Sequence, residues 1–250
     1  MLLEGKVALI TGSVRGTGEG IAKVFAREGA AIVLNQVRGE GEPERVLEEL
    51  QAAGARALCC KADVTRADEV AEMVEQAERG LGPIDILVNN YAASVPRTLF
   101  AESTWEVWQE LLDYTIKAAF LCSQAVLPGM RERKWGRLIS VNTVGIHQPR
   151  LTYHGYTAAK TAMLGFTRNL AVEVGADNVT VNIVSPGLTL TQEVQDRLTP
   201  EERARHENRV PMRRIGKVED TANVALFLAS ELASFVTGHY VPVCGGQVMD

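Results

Sequence analysis

No apolar run in the 250 residues is long enough to cross a bilayer. Glu4 and Lys6 interrupt the start, where an export signal would need an unbroken apolar stretch. Basic residues form no long run and the formal net charge is -5, which argues against nucleic acid as the main partner. The four cysteines, Cys59, Cys60, Cys122 and Cys244, show no C-x-x-C spacing, and the four histidines are scattered. Buried or idle thiols are therefore expected, rather than metal ligands or disulfides. No linker, repeat or low-complexity segment interrupts the chain. What remains is an α/β chain with one large core, acting on a small molecule in the cytoplasm, although two small domains would also fit the length.

The opening stretch carries the strongest local signal. Lys6-Val7-Ala8-Leu9-Ile10 is rich in strand formers, breaks at Thr11-Gly12-Ser13-Val14-Arg15-Gly16-Thr17-Gly18, and leads into a helical pattern with Ile21, Val24 and Phe25 on one face. Strand, glycine loop, helix is the geometry that cradles a phosphate: the loop exposes backbone N–H groups and the helix start favours an anion. Gly12 allows the tight turn, Gly16 lets the backbone approach a diphosphate, and Gly18 permits close packing of helix on strand. By itself the G-x3-G-x-G spacing is a weak signal.

The rest of the chain alternates strand and helix. Strands are expected at 31–35, 55–62, 84–88, 137–141, 179–184 and 239–243, and helices at 42–53, 67–79, 104–130, 153–174 and 218–229. Residues 192–210 read as a charged helical segment. Alternation of this kind predicts a parallel sheet covered on both faces and doubly wound by right-handed crossovers. Polar or glycine-rich stretches at Gly12–Gly18, Asp63, Asn89-Asn90, Asn142-Thr143 and Pro186-Gly187 all fall at the carboxyl ends of strands, where ligands sit in open α/β sheets.

Tyr156 and Lys160 are four apart on an expected helix and share a face. A free phenol has a pKa of ~10, and a neighbouring ammonium would lower it by favouring phenolate. Tyr156 could then donate a proton to a carbonyl oxygen or take one from an alcohol, and Lys160 could also hold a ribose hydroxyl. Spacing alone favours an ordinary surface pair.

Taken together, Thr11-Gly12-x3-Gly16-x-Gly18, Asp63-Val64, Asn89-Asn90, Tyr156-x3-Lys160, Pro186-Gly187 and the ending Thr237-Gly238 through Gly245-Gly246 resemble the short-chain dehydrogenase/reductases over essentially the whole chain. The resemblance implies a Rossmann-type, doubly wound, seven-stranded parallel sheet in one domain, binding a nicotinamide cofactor. It implies Tyr156 as acid/base with Lys160 lowering its pKa. Gly12, Ser13, Arg15, Gly16, Thr17 and Gly18 would bind the diphosphate side, Asp63-Val64 the adenine, and Asn90 the adenosine side. Pro186, Gly187, Thr189 and Thr191 would line the nicotinamide end. A homodimer or homotetramer is also implied.

Three positions depart from that pattern. Thr143 stands where the family has a serine thirteen residues before the tyrosine; its hydroxyl can still hold a carbonyl oxygen, but its methyl narrows the site. Thr115 replaces the helix asparagine thought to anchor a proton-relay water. Tyr91 replaces an alanine and adds bulk beside the cofactor channel.

The end of the second strand bears on cofactor choice. Gln36 stands where NAD-preferring members carry an acid, and Arg15 and Arg38 could attract a 2′-phosphate, so NADP(H) is favoured over NAD(H). Val14 and the nearby Glu40, Glu42 and Glu44 count the other way. Tyr91, Thr143, Ile146, His147, Gln148, Tyr153 and His154 are expected around the substrate, with a mobile lid at about 188–212. The pattern looks most like ketoreductases of 3-oxoacyl thioesters. Of the two basic surface residues that such enzymes use to dock a carrier protein, Arg133 could supply one, and Val172 stands in place of the other. The expected activity is NADPH-dependent carbonyl reduction. An alcohol or sugar dehydrogenase of the same family and a non-catalytic NADP-binding regulator remain open.

Overall fold

The computed structural model describes residues 1–37, 39, 41–92 and 96–249. Its seven strands, β1 (Val7–Ile10), β2 (Ala31–Gln36), β3 (Ala57–Lys61), β4 (Ile86–Asn89), β5 (Gly136–Val141), β6 (Val179–Pro186) and β7 (Tyr240–Val243), form one sheet in the order β3-β2-β1-β4-β5-β6-β7. Every pairing is parallel. The chain first winds outward through β2 and β3, then returns to lay β4 on the other side of β1. This reversal opens a crevice at the carboxyl ends of β1 and β4, the switch point where α/β sheets bind ligands.

The helices are α1 (Gly16–Arg27), α2 (Pro43–Ala52), α3 (Ala67–Leu81), α4 (Trp105–Leu112), α5 (Ala118–Glu132), α6 (His154–Val174), α7 (Gln192–Arg197), α8 (Pro200–Arg209) and α9 (Val218–Ala229). They cover both faces of the sheet, and β1 shows why. Its side chains alternate between faces. Val7 and Leu9 enter a core with Met73 and Ala77 of α3, Cys122 and Val126 of α5, and Ala171 and Val174 of α6. Ala8 and Ile10 enter a second core with Ile21 and Phe25 of α1, Val46 and Leu50 of α2, and Leu228 of α9. A strand buried on both faces must be apolar throughout, as Val7-Ala8-Leu9-Ile10 is.

Three elements differ from the sequence expectation. The helix expected over 104–130 is broken into α4 and α5 by a π turn at Asp113–Lys117. The segment expected as one charged helix is two, because Pro200 cannot extend a preceding helix. Thr199 instead caps the new one: its Oγ1 accepts from Glu202 N at 3.2 Å, while its N–H donates to the Glu202 carboxylate at 3.1 Å. Lastly, Pro186-Gly187 does not stop β6 where expected. Pro186 pairs with Val243, and Gly187 N donates to the Val243 carbonyl at 3.0 Å. No helix among the described residues is long and apolar enough to cross a membrane.

Candidate active site

The glycine turn leaves β1 under tight backbone control. Gly12 and Gly16 both take positive φ, +60° and +58°. A Cβ on Gly18 would lie 2.5 Å from Asn90 Nδ2 and 2.6 Å from the Gly12 carbonyl, so only glycine fits there. At Gly16 a Cβ would project toward the Thr191 methyl, 3.6 Å away, and fill the gap between turn and α7. Arg15, at the N-cap of α1, makes no side-chain capping bond, so the first-turn N–H groups at Gly16 and Thr17 are left to the groove that both residues line. This groove has a volume of about 320 Å³, with Val14, Val37 and Asn90 among its walls and Thr191, Gln192 and Glu193 opposite. Backbone donors, two positive-φ glycines and space that a Cβ would fill suit a diphosphate.

Three residues hold the turn, and two of them escaped the sequence reading. Thr11 Oγ1 accepts from the N–H groups of Asn90 and Tyr91 at 3.0 and 3.1 Å. Asn35, fully buried, accepts from Gly12 N at 3.1 Å through Oδ1 and donates through Nδ2 to the Cys60 and Ala62 carbonyls. The signal was present: a lone amide in the apolar strand Ala31-Ile32-Val33-Leu34-Asn35 needs partners to be tolerated there. The third is Asn90, whose Nδ2 donates to the Thr11 and Gly12 carbonyls at 2.9 and 3.0 Å.

Several residues assigned to the cofactor are placed differently. The Ser13 side chain is buried, not groove-lining, and its Oγ accepts from Asn35 N at 3.0 Å. Val64 is buried in the core shared by α3 and α5, leaving only its backbone to meet a ligand. Asp63 is half-buried, and its carboxylate accepts from Thr65 N, Thr65 Oγ1 and the Tyr114 hydroxyl at 2.7–2.9 Å. Gln36 ends β2 as expected, and Arg38 lies outside the described residues. Thr191 caps α7 and faces Gly16 across the groove, whereas Thr189 is buried beside Gly187, its Oγ1 donating to that carbonyl at 3.3 Å. Tyr91, expected at the substrate, lines the groove at the glycine turn. It packs on Gly12 and meets the Tyr114 ring at a tilt of 58°, with centroids 5.1 Å apart.

At the ends of β5 and β6 the chain gathers Thr143, Tyr156 and Lys160. The Thr143 hydroxyl lies near enough to the Tyr156 phenol to favour its ionised form, and it accepts from Gly145 N at 3.0 Å. Asn142, another residue missed, ties strand to helix by donating from Nδ2 to the Lys160 carbonyl at 2.9 Å. The Tyr240 hydroxyl donates to the Thr143 carbonyl at 3.2 Å and accepts from Ser185 Oγ at 2.7 Å.

The expected lowering of the phenol by Lys160 is not what this arrangement produces. Burial pushes Tyr156 up to about 12, only partly opposed by the nearby Thr143 hydroxyl, and Lys160 is not among the groups acting on it. The Lys160 amine turns instead to the Val141 carbonyl at 2.8 Å, and burial pushes its pKa down to about 8. Lys160 and Thr115 share the wall of a small cavity of about 10 Å³ with Ser140 and Tyr91, near the least volume that holds one water. The π turn brings Thr115 there, a device frequent at functional sites.

Among the residues assigned to substrate, Tyr153 meets the Tyr156 ring edge-on at 6.0 Å. Gln148 exchanges bonds with Gln247, 3.2 Å to its carbonyl and 3.0 Å between the side chains. His154 is held by its neighbours: its Nδ1 accepts from Gly155 N, its Nε2 meets the Thr98 carbonyl at 3.3 Å, and its ring stacks on Trp108. Arg133 donates to the Ile84 carbonyl at 2.7 Å. The four cysteines are unpaired thiols, and burial pushes Cys59 and Cys60 to about 11 and Cys122 to about 12.

Comparison with known proteins agrees with this geometry. Residues 12–247 match the family profile described as Enoyl-(Acyl carrier protein) reductase. The chain is 36% identical over 250 residues to a 3-oxoacyl-(acyl-carrier-protein) reductase of Pseudomonas aeruginosa, covering 100% of both. It is 32% identical over 248 residues to the 7alpha-hydroxysteroid dehydrogenase of Escherichia coli K12, covering 99% of this chain and 96% of that protein. A solved 7alpha-hydroxysteroid dehydrogenase, complexed with NADH and 7-oxo glycochenodeoxycholic acid, superposes with a TM-score of 0.92 at 32% identity, covering 99% of this chain and 96% of the other. The chain belongs to the short-chain dehydrogenase/reductase family of oxidoreductases.

Proposed function

We propose that this protein reduces a carbonyl substrate with NADPH, with Tyr156 as the proton donor. One feature carries the reading: a phenol buried beside Thr143 at the ends of β5 and β6, which burial pushes up to about 12, is fully protonated at neutral pH. That is the state reduction requires, whereas alcohol oxidation requires a base. Thr143 and Tyr156 would both hydrogen-bond the carbonyl oxygen, polarising it and fixing its place. Tyr156 then gives its proton to that oxygen as negative charge develops, and the charge on Arg150 favours the phenolate left behind. A bound nicotinamide supplies the hydride at its C4. The turn at Gly12–Gly18, with Thr191 and Glu193 opposite, would hold the dinucleotide, and Thr115 with Lys160 would bound the water cavity that returns a proton to Tyr156.

The preference for NADPH rests on Gln36, which places no carboxylate against a 2′-phosphate, and on Arg15 at the groove. Initial rates with NADPH and NADH on a panel of a β-ketoester, an acyl-CoA, a cyclic ketone and a cyclic imine test both parts. Equal or better use of NADH overturns the preference, and no reduction of any carbonyl overturns the activity. The reading includes a cytoplasmic homo-oligomer, for which the exposed Phe120 beside Phe166 and Leu170 offers an apolar face.

A further inference from the structure

Two adjoining cavities lie beyond Gly187. The inner one, about 340 Å³, runs from Gly187 past Met212 and Val243 to His206 and Gln247. The outer one, about 510 Å³, shares His206 and Gln247 with it and is otherwise walled by Gln148, Pro149, Arg150 and Arg209. The shared residues make the two spaces continuous from the strand ends to the surface. The inner walls are mixed, while the outer ones carry two guanidiniums and an imidazole with no carboxylate among them.

Neither guanidinium is committed elsewhere: among the described residues, Arg150 and Arg209 have no ion pair and no side-chain hydrogen bond. The acids of α8 do not neutralise them. Glu202 accepts from Thr199 N at 3.1 Å, and Glu207 pairs with Arg203 at 3.1 Å. His206 registers the local excess of positive charge: burial lowers its pKa first, and Arg150, Arg209 and Arg205 lower it further against Glu202. The charge of Arg150 also acts on Tyr156, as the smallest of the influences on that phenol.

We infer that Arg150 and Arg209, with Gln148 and Gln247 between them and Gly187, bind an anionic group of the substrate, a carboxylate or a phosphate, while its carbonyl sits at Tyr156. This specifies the substrate class of the reductase proposed above and rests on that reading. Two unpaired guanidiniums with amide donors alongside match an oxyanion, and an apolar-to-polar passage between them and Gly187 would hold the connecting carbons. A neutral ketone of the same length leaves both cations without a partner.

The test uses the whole protein with NADPH and two matched series. One is the methyl ketones from 4-oxopentanoate to 7-oxooctanoate, each against its methyl ester. The other is a 3-oxoacyl pantetheine 4′-phosphate against the same thioester of pantetheine. The anionic member of one series is expected to be preferred roughly 10- to 100-fold in kcat/KM, mainly through KM. Arg209→Gln should reduce that ratio to near unity, and Arg209→Glu should invert it. Arg168→Gln, an equal charge change on the outward face of α6, should keep it. Which series discriminates names the anion. Ratios near unity in both series, or ratios unmoved by the Arg209 changes, overturn the inference while leaving the reductase reading standing. Calorimetric titration with the same probes separates the converse case: binding of the anions that Arg209→Gln abolishes, with no turnover of any probe, supports the anion site and sinks the reductase.

Discussion

The two ends of the crevice are built by opposite means. At the nucleotide end, Thr11, Asn35 and Asn90 fasten a glycine turn through bonds to backbone atoms, and Asn35 is wholly buried. At the substrate end, neither the six residues of α7 nor the ten of α8 bury a single side chain, and α8 is held by its own cap and an internal ion pair. A turn shaped by backbone has one workable conformation and tolerates little change. Two polar helices with no buried face cost little to displace and little to rewrite. The first end is therefore suited to a constant ligand and the second to a variable one.

The largest expected effect lies between the two. Tyr156→Phe keeps the ring and its edge-on contact with Tyr153 but removes the proton, so kcat for reduction should fall about 100- to 10,000-fold with folding intact. A loss under tenfold would mean another group supplies the proton. Because the phenol is protonated up to about 12, wild-type kcat for reduction should stay flat from pH 6 to 9, while alcohol oxidation should climb over the same range.

Next in size is a break in the fastened end. Asn35→Leu preserves volume but strands Gly12 N–H and two carbonyls, which should cost about 2–4 kcal/mol, or roughly 5–15 °C in Tm by scanning calorimetry. A fall below 2 °C would show that the turn does not depend on that amide.

The same contrast explains what could be read from residues alone. Gly12, Gly16 and Gly18 were legible because backbone geometry leaves glycine no substitute, and the strands because burial on both faces demands unbroken apolar runs. The parallel sheet and its helices followed from alternation. The π turn at Asp113–Lys117 was not legible, since its one extra residue leaves the apolar spacing nearly helical. Nor was the orientation of Lys160. Four-residue spacing puts two side chains on one helix face but does not say that the amine will choose the Val141 carbonyl. Ser13, Val64 and Tyr91 sat in the right motifs with their side chains turned elsewhere, because a motif fixes backbone position before it fixes rotamer. Arg150 and Arg209 are far apart in sequence and meet only through the fold.

Lys160 offers a smaller, signed test. Its folded pKa of about 8 lies below the unfolded ~10.4, so between these values the unfolded chain holds the extra proton and stability rises with pH. The penalty for burying the ammonium is in force at pH 7 and gone near pH 10.5. Lys160→Met should therefore compare best with the wild type at pH 7 and lose ground by pH 9.5, read as the difference in Tm between the two proteins at each pH. An unchanged difference would show that the amine titrates as if exposed.

The smallest effect is expected at the loosely held end, and it completes the contrast. Arg203→Ala removes an exposed pair with Glu207 and should cost no more than about 0.5 kcal/mol, near the limit of a Tm measurement. Hydrogen exchange gives the sharper reading. Amides of α8 should exchange well before those of α1, whose Ile21 and Phe25 are fully buried, and NADPH with an anionic ketone should slow α8 more than it slows α1. If α8 without ligand is as protected as α1, its polar surface is held by something other than its own helix. The division into a fixed nucleotide end and an adaptable substrate end would then fail.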